Sequence, residues 1–103
     1  MSRFYCNHAA ATIAANTLRV YAQPTRLMIL SCLLDAERNV GEIGAATGIG
    51  QPALSQQLAE LRRANLVSTR KQVRQVWYKL ANAQVSASVR SMEDLFAEEG
   101  PQS

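Results

Sequence analysis

Residues 40–66, VGEIGAATGIGQPALSQQLAELRRANL, leave this chain little freedom, because they read as a short helix, a glycine turn and a second helix. Asn39 can cap the first helix, with Glu42 three residues on to complete a capping box. Val40, Ile43 and Ala46 share one helical face, and Gly48 stands where a helix stops. Ile49 and Gly50 carry the turn, and Pro52 suits the first position of the next helix because it has no N–H to leave unpaired. Leu54, Leu58 and Leu61 recur at i, i+4 and i+7, the spacing of a buried stripe. At about 100° per residue, Pro52, Ser55, Gln56, Ala59 and Arg63 fall on the opposite face, with Gln57 towards the flank. Small residues, amides and one arginine suit a surface that reads base edges.

The segments around this unit follow from their periods. Residues 1–7 form a short arm. Residues 8–22 are an alanine-rich helix, with Ala10, Ala14 and Leu18, plus Ile13 and Val20, as an apolar flank that suits close packing on another helix. Gln23-Pro24 breaks it. A second helix runs from Thr25 to about Asp35 and is apolar on nearly every side, as a central core helix is. Residues 36–38 lead into the opening unit as a loop. Beyond Asn65 the period changes to two: residues 66–70 and 75–80 read as strands around Lys71-Gln72-Val73-Arg74, with Val76, Tyr78 and Leu80 alternating with Gln75, Trp77 and Lys79. From about Asn82 to Glu98 the helical period returns, with Val85, Val89, Met92 and Phe96 in one stripe. That stripe has no element left in the chain to cover it, which points to a symmetric dimer through the first and last helices. The fold expected is mainly α with a small β-hairpin, one domain over residues 1–103, with a helix–turn–helix at 40–64, a wing at 66–80 and dimerisation helices at 8–22 and 82–98.

Charge distribution supports an anionic partner better than total charge does. The chain carries only +3, yet residues 62–79 hold six basic side chains (Arg62, Arg63, Arg70, Lys71, Arg74 and Lys79) and no acidic one, leaving −3 for the rest. A clustered patch is the footprint of a phosphate-binding surface, although alone it would read as a solvated face. Two cysteines, Cys6 and Cys32, make neither a disulfide framework nor a CxxC pair. With no signal-peptide core and no membrane-length apolar run, a cytoplasmic protein with reduced thiols is expected. An enzyme is not expected, given one histidine, no Gly-rich phosphate loop and no second domain to form a cleft.

The order of elements, with QPTRLMIL, VGEI, GIGQPALSQQLAELRRANLV and STRKQVRQVWYKL, resembles the ArsR/SmtB family of winged helix-turn-helix repressors over roughly residues 9–98. Within it the resemblance is to the branch of biofilm growth-associated and hemolysin-type regulators, several of which sense sulfide or persulfide. It implies a homodimer on double-stranded operator DNA, a near-palindrome, released by a small inducer or by thiol oxidation or persulfidation. Carried over by position, base reading falls on Gln51, Pro52, Ser55 and Gln56, although Gln51 serves equally well as a helix cap. Arg63 would meet the backbone, and the wing residues Arg70, Lys71 and Arg74 would bind phosphate or reach the minor groove.

The family's metal sites are not carried over. Where one needs thiolates this chain has Asn39, Val40 and Gly41, and where the other needs acids and histidines it has Asn82, Gln84, Leu95 and Glu98, of which only Glu98 is a ligand type. No metal or cofactor is therefore expected. The cysteines of the sulfur-sensing branch fall on Ser31 and Ala97. Cys32 is one residue out of register, about 100° around the helix. Cys32 with Cys6 as replacement partner is the candidate thiol sensor, set against Cys32 as a small buried hydrophobe, the usual fate of a free cysteine. Cys6, His8 and Cys32 as a metal or metalloid site, and a winged helix that binds an acidic protein partner, are the alternatives.

Overall fold

The computed structural model describes residues 3–97. The first two residues of the arm, Glu98 and the tail at 99–103 lie outside the described residues. After a 3₁₀ turn at Phe4–Cys6, the chain forms α1 (His8–Tyr21), α2 (Pro24–Cys32), β1 (Arg38–Asn39), α3 (Val40–Thr47), α4 (Ala53–Arg63), β2 (Val67–Gln72), β3 (Gln75–Leu80) and α5 (Ala83–Phe96).

The helix boundaries have local causes. Asn7 and Asn82 each accept a backbone N–H at 2.9 Å, from Ala10 and Val85, and so cap α1 and α5. The capping box at α3 is complete: Asn39 Oδ1 accepts the Glu42 N–H at 2.9 Å, and the Glu42 carboxylate accepts the Asn39 N–H at 3.2 Å. Gly48 ends α3 at φ +77°, a left-handed conformation that a side chain would strain. Pro52 stands at the N-cap of α4, one position earlier than its usual place inside the first turn. The second helix is shorter than its apolar run implies, because the chain turns at Leu33 and Leu34 to reach β1.

Leu54, Leu58 and Leu61 of α4 are all buried, packed with Ile29, Leu30, Leu33 and Ile43 into one core closed by Leu66, Val67, Leu80 and Tyr21. The core helix is not buried all round, since Leu27 and Met28 are exposed. Nor is the last helix bare: Val85 and Val89 belong to the core and Met92 packs against it, while Leu95 and Phe96 remain open at 71% and 61%. The expectation of a wholly uncovered stripe is corrected accordingly, because α2 and β3 cover its first half.

The segment read as a loop before α3 contains a strand. Arg38 and Asn39 pair antiparallel with Tyr78 and Trp77, giving a three-stranded sheet of order β1-β3-β2. The β2–β3 ladder runs from Val67 opposite Leu80 to Gln72 opposite Gln75, so the wing turn is only Val73-Arg74, tighter than the four residues expected. Asn39 also donates from Nδ2 to Gln75 Oε1 at 2.9 Å. One residue thus starts α3, pairs with the wing and bonds its second strand. Asn39→Ala is expected to destabilise the fold by about 1–2 kcal/mol, with Asn39→Asp losing less because it keeps the cap acceptor. An unchanged urea midpoint for Asn39→Ala would show that this joint carries no stability.

Candidate nucleic-acid interface

With the leucine stripe of α4 turned into the core, Pro52, Ser55, Gln56, Ala59 and Arg63 are all exposed. Gln51 behaves as the cap that its position allows: its Oε1 accepts the Ser55 hydroxyl at 2.6 Å and the Ser55 N–H at 3.3 Å. The Ser55 hydroxyl is therefore held in one rotamer at the start of the helix. Gln57, on the flank, is taken up by the body, its Oε1 accepting Arg26 Nε at 2.7 Å. Arg26 also donates to the Val20 carbonyl at 3.2 Å and so fixes how α4 is rotated against α1 and α2. Sequence reading passed over Arg26, since nothing local marks a partner 31 residues away.

Between α4 and β3 runs a groove of about 520 Å³ lined by Ser55, Leu58, Ala59, Arg62, Arg63, Asn65 and Tyr78. The reading face and the root of the wing are therefore continuous. Arg62 belongs to this groove, although the helical wheel gave it no role beyond the basic window. Asn65 turns the chain out of α4 at φ +62°, a conformation asparagine tolerates better than most residues. Arg63 forms a pair with Glu60 at 2.7 Å, with both side chains at least half exposed, so the pair contributes little and leaves Arg63 available.

The wing cations differ in their surroundings. Residues 71–76 are exposed, so Lys71 and Arg74 stand open to solvent on either side of Val73. Arg70 is exposed too but is engaged: its Nη2 lies 2.8 Å from Glu37 and its guanidinium carbon 5.6 Å from the centre of the Trp77 ring. The hydrogen bond from Arg70 holds the Glu37 carboxyl below the usual carboxylate range. A depressed carboxylate keeps the pair ionised above the ordinary value and loses it as pH falls through the lowered one.

The candidate sensor residues lie apart from this face. Both cysteines are free, Cys6 exposed beside α1 and Cys32 half-buried at the end of α2. Cys32 lines a cavity of about 700 Å³ with Leu27, Met28, Arg38, Met92 and Phe96 among its walls. Burial pushes its thiol up, a shift partly offset by Arg38, which also donates to the Cys32 carbonyl at 2.7 Å. Ser31 donates its hydroxyl to the Glu93 carboxylate and so ties α2 to α5. Cys6, His8 and Cys32 are not brought together: among the described residues no three His, Cys, Asp or Glu side chains could hold a metal ion. A raised thiol holds less thiolate at a given pH, so iodoacetamide at pH about 8 should alkylate Cys6 well before Cys32. Equal rates by mass spectrometry would contradict the burial argument.

Residues 23–69, from the start of α2 to the first wing strand, match the model of "Bacterial regulatory protein, arsR family". The biofilm growth-associated repressor of Xylella fastidiosa is 40% identical over 86 residues, 84% of this chain and 75% of that protein. This chain belongs to the arsR family. The transcriptional activator HlyU of Vibrio cholerae is 42% identical over 81 residues, 79% of this chain and 75% of its own length. Both names fall in the branch that the motifs resemble. The crystal structure of the transcriptional repressor BigR from Xylella fastidiosa superposes with a TM-score of 0.81 at 36% identity, covering 93% of this chain and 95% of that one. A homodimeric winged helix-turn-helix DNA-binding domain from Mycobacterium bovis superposes with a TM-score of 0.75 at 25% identity, covering 99% and 94%. This arsR-family chain is accordingly a DNA-binding transcriptional regulator with a winged helix-turn-helix fold. Among its described residues no helix is long and apolar enough to cross a membrane.

Proposed function

We propose that this arsR-family regulator is a homodimeric repressor that reads a near-palindromic operator, with α4 in the major groove and the wing on the flanking backbone. One observation carries the reading: the exposed α4 face of Ser55, Gln56, Ala59 and Arg63 runs into the wing root through a groove lined by two arginines. The Gln56 amide offers an NH2 donor group beside a carbonyl acceptor, the pattern that pairs with adenine N7 and N6. Ser55, whose hydroxyl proton is donated to Gln51, is left to accept from a base amino group, and contacts a phosphate only if that bond is released. Lys71 and Arg74 neutralise phosphates and set register without reading sequence.

Exposed apolar surface supports the dimer. Ile13 and Leu18 on α1 are 68% and 57% exposed, and Leu95 and Phe96 stand open on α5. Covering such side chains against a second copy is the ordinary reason for leaving them out of the core. Two copies related by a twofold axis then place two α4 helices in successive major grooves, about one helical turn apart. Introducing aspartate at both Ile13 and Leu18 should leave the helical circular dichroism intact and yield a monomer by light scattering. A dimer surviving both changes would place the interface elsewhere.

Gln56→Ala should cost about 1–3 kcal/mol on operator DNA and little on random duplex. Lys71→Ala should weaken binding to both and reduce the slope of log K against log salt by about one. Equal losses on the two DNAs for Gln56→Ala would remove it from base reading. As for the signal, Cys6 is the more exposed thiol, and Cys32 is half-buried in the lining of the cavity at the end of α2.

A further inference from the structure

We infer that Arg70 is a positioning residue and not a DNA contact: its guanidinium, held between the Glu37 carboxylate and the Trp77 ring, latches the wing across the sheet to the segment that starts α3. The inference rests on the DNA-reading function proposed above. Arg70 lies directly opposite Trp77 on β3, and Trp77 lies opposite Asn39 on β1, so the three are in register across the sheet. Residues directly opposite share a sheet face. From β2, the outer strand, the Arg70 side chain crosses Trp77 and reaches Glu37, one residue before β1.

All three guanidinium nitrogens are engaged. Nε donates to both Glu37 oxygens, at 3.0 and 3.1 Å, Nη2 lies 2.8 Å from Oε1, and Nη1 donates to Gln72. The ring beneath is within the roughly 6 Å reach of a cation–π contact. Three of its five N–H donors are thus directed at Glu37 and Gln72, and a phosphate approaching the remaining two would stand beside the Glu37 carboxylate, which repels it. Lys71 and Arg74 are exposed at the tip and form no ion pair among the described residues.

The wing needs such a latch. A two-stranded ribbon is marginally stable alone, and β1, the strand that anchors it, is two residues long. β1 and the Asn39–Gln75 hydrogen bond hold β3 to the body, and a tie from β2 adds a second constraint on the angle at which the hairpin leaves the sheet. The Arg70–Glu37 bridge spans all three strands and fixes that angle. Its stability contribution is small, because both side chains are partly exposed. Its effect on DNA affinity passes through the placement of Lys71 and Arg74.

The test uses the full chain, an operator duplex obtained by in vitro selection, and a random duplex. Arg70→Gln, Glu37→Gln and the double variant are titrated against salt. The latch predicts that each single variant raises the operator Kd by roughly three- to tenfold, that the double variant adds nothing further, and that the salt slope is unchanged. Trp77 is the only tryptophan, and its emission should shift alike in both single variants. A slope reduced by about one on both DNAs for Arg70→Gln, with Glu37→Gln binding as tightly as the parent or tighter, would make Arg70 a phosphate contact. Unchanged Kd in both variants would equally overturn the positioning role. If the parent binds neither duplex, the DNA-reading proposal fails by itself, and matched Trp77 emission shifts still decide whether the latch exists.

Discussion

Asn39 is the residue on which the geometry of the reading head depends. Its carbonyl oxygen caps α3, its backbone N–H is accepted by Glu42, and its amide nitrogen reaches Gln75. Its backbone meanwhile pairs with Trp77. Each of these bonds is worth only about 1 kcal/mol, so the consequence is geometrical rather than energetic. The start of α3 determines where Gly48 turns, and that turn determines how α4 presents its outer face. The same residue fixes β3, and through β3 the wing. Helix and wing are therefore joined through one residue.

Electrostatics is divided within that body. The basic window of residues 62–79 looks uniform in sequence but contains cations in different states. Arg70 is bound to Glu37 and shields Trp77. Arg63 holds a solvated pair with Glu60, and Arg62 lines the groove between helix and sheet. Lys71 and Arg74 stand clear at the tip. Arg62, Arg63, Lys71, Arg74 and Lys79 are thus exposed, while Arg70 among them is engaged by Glu37. A count of lysines and arginines overstates the phosphates neutralised.

What was legible in the sequence was what short-range chemistry determines. The caps at Asn39 and Asn82, the left-handed glycine at position 48, the leucine spacing in α4 and the alternation in β3 each need only residues within one or two turns. The reading-face residues turned outward because their opposite neighbours turned inward. Illegible were the features that join distant segments. A two-residue strand has no period to detect, so β1 read as a loop. Glu37 and Arg70 lie 33 residues apart, and Arg26 and Gln57 lie 31 apart, with nothing local to mark either pair. The stripe of α5 misled for a similar reason: periodicity shows that a face is apolar, not whether α2 will cover half of it. Ser31 and Glu93, joined across α2 and α5, lie 62 residues apart and are equally unmarked.

The central claim is that two copies of this reading head engage one pseudo-palindromic site. Hydroxyl-radical footprinting on a selected operator tests it most directly. The account predicts two symmetric sets of backbone protection whose centres are about 10–10.5 base pairs apart, with flanking protection where the wings lie. A single protected patch, or uniform weak protection that follows the protein along any duplex, would contradict it.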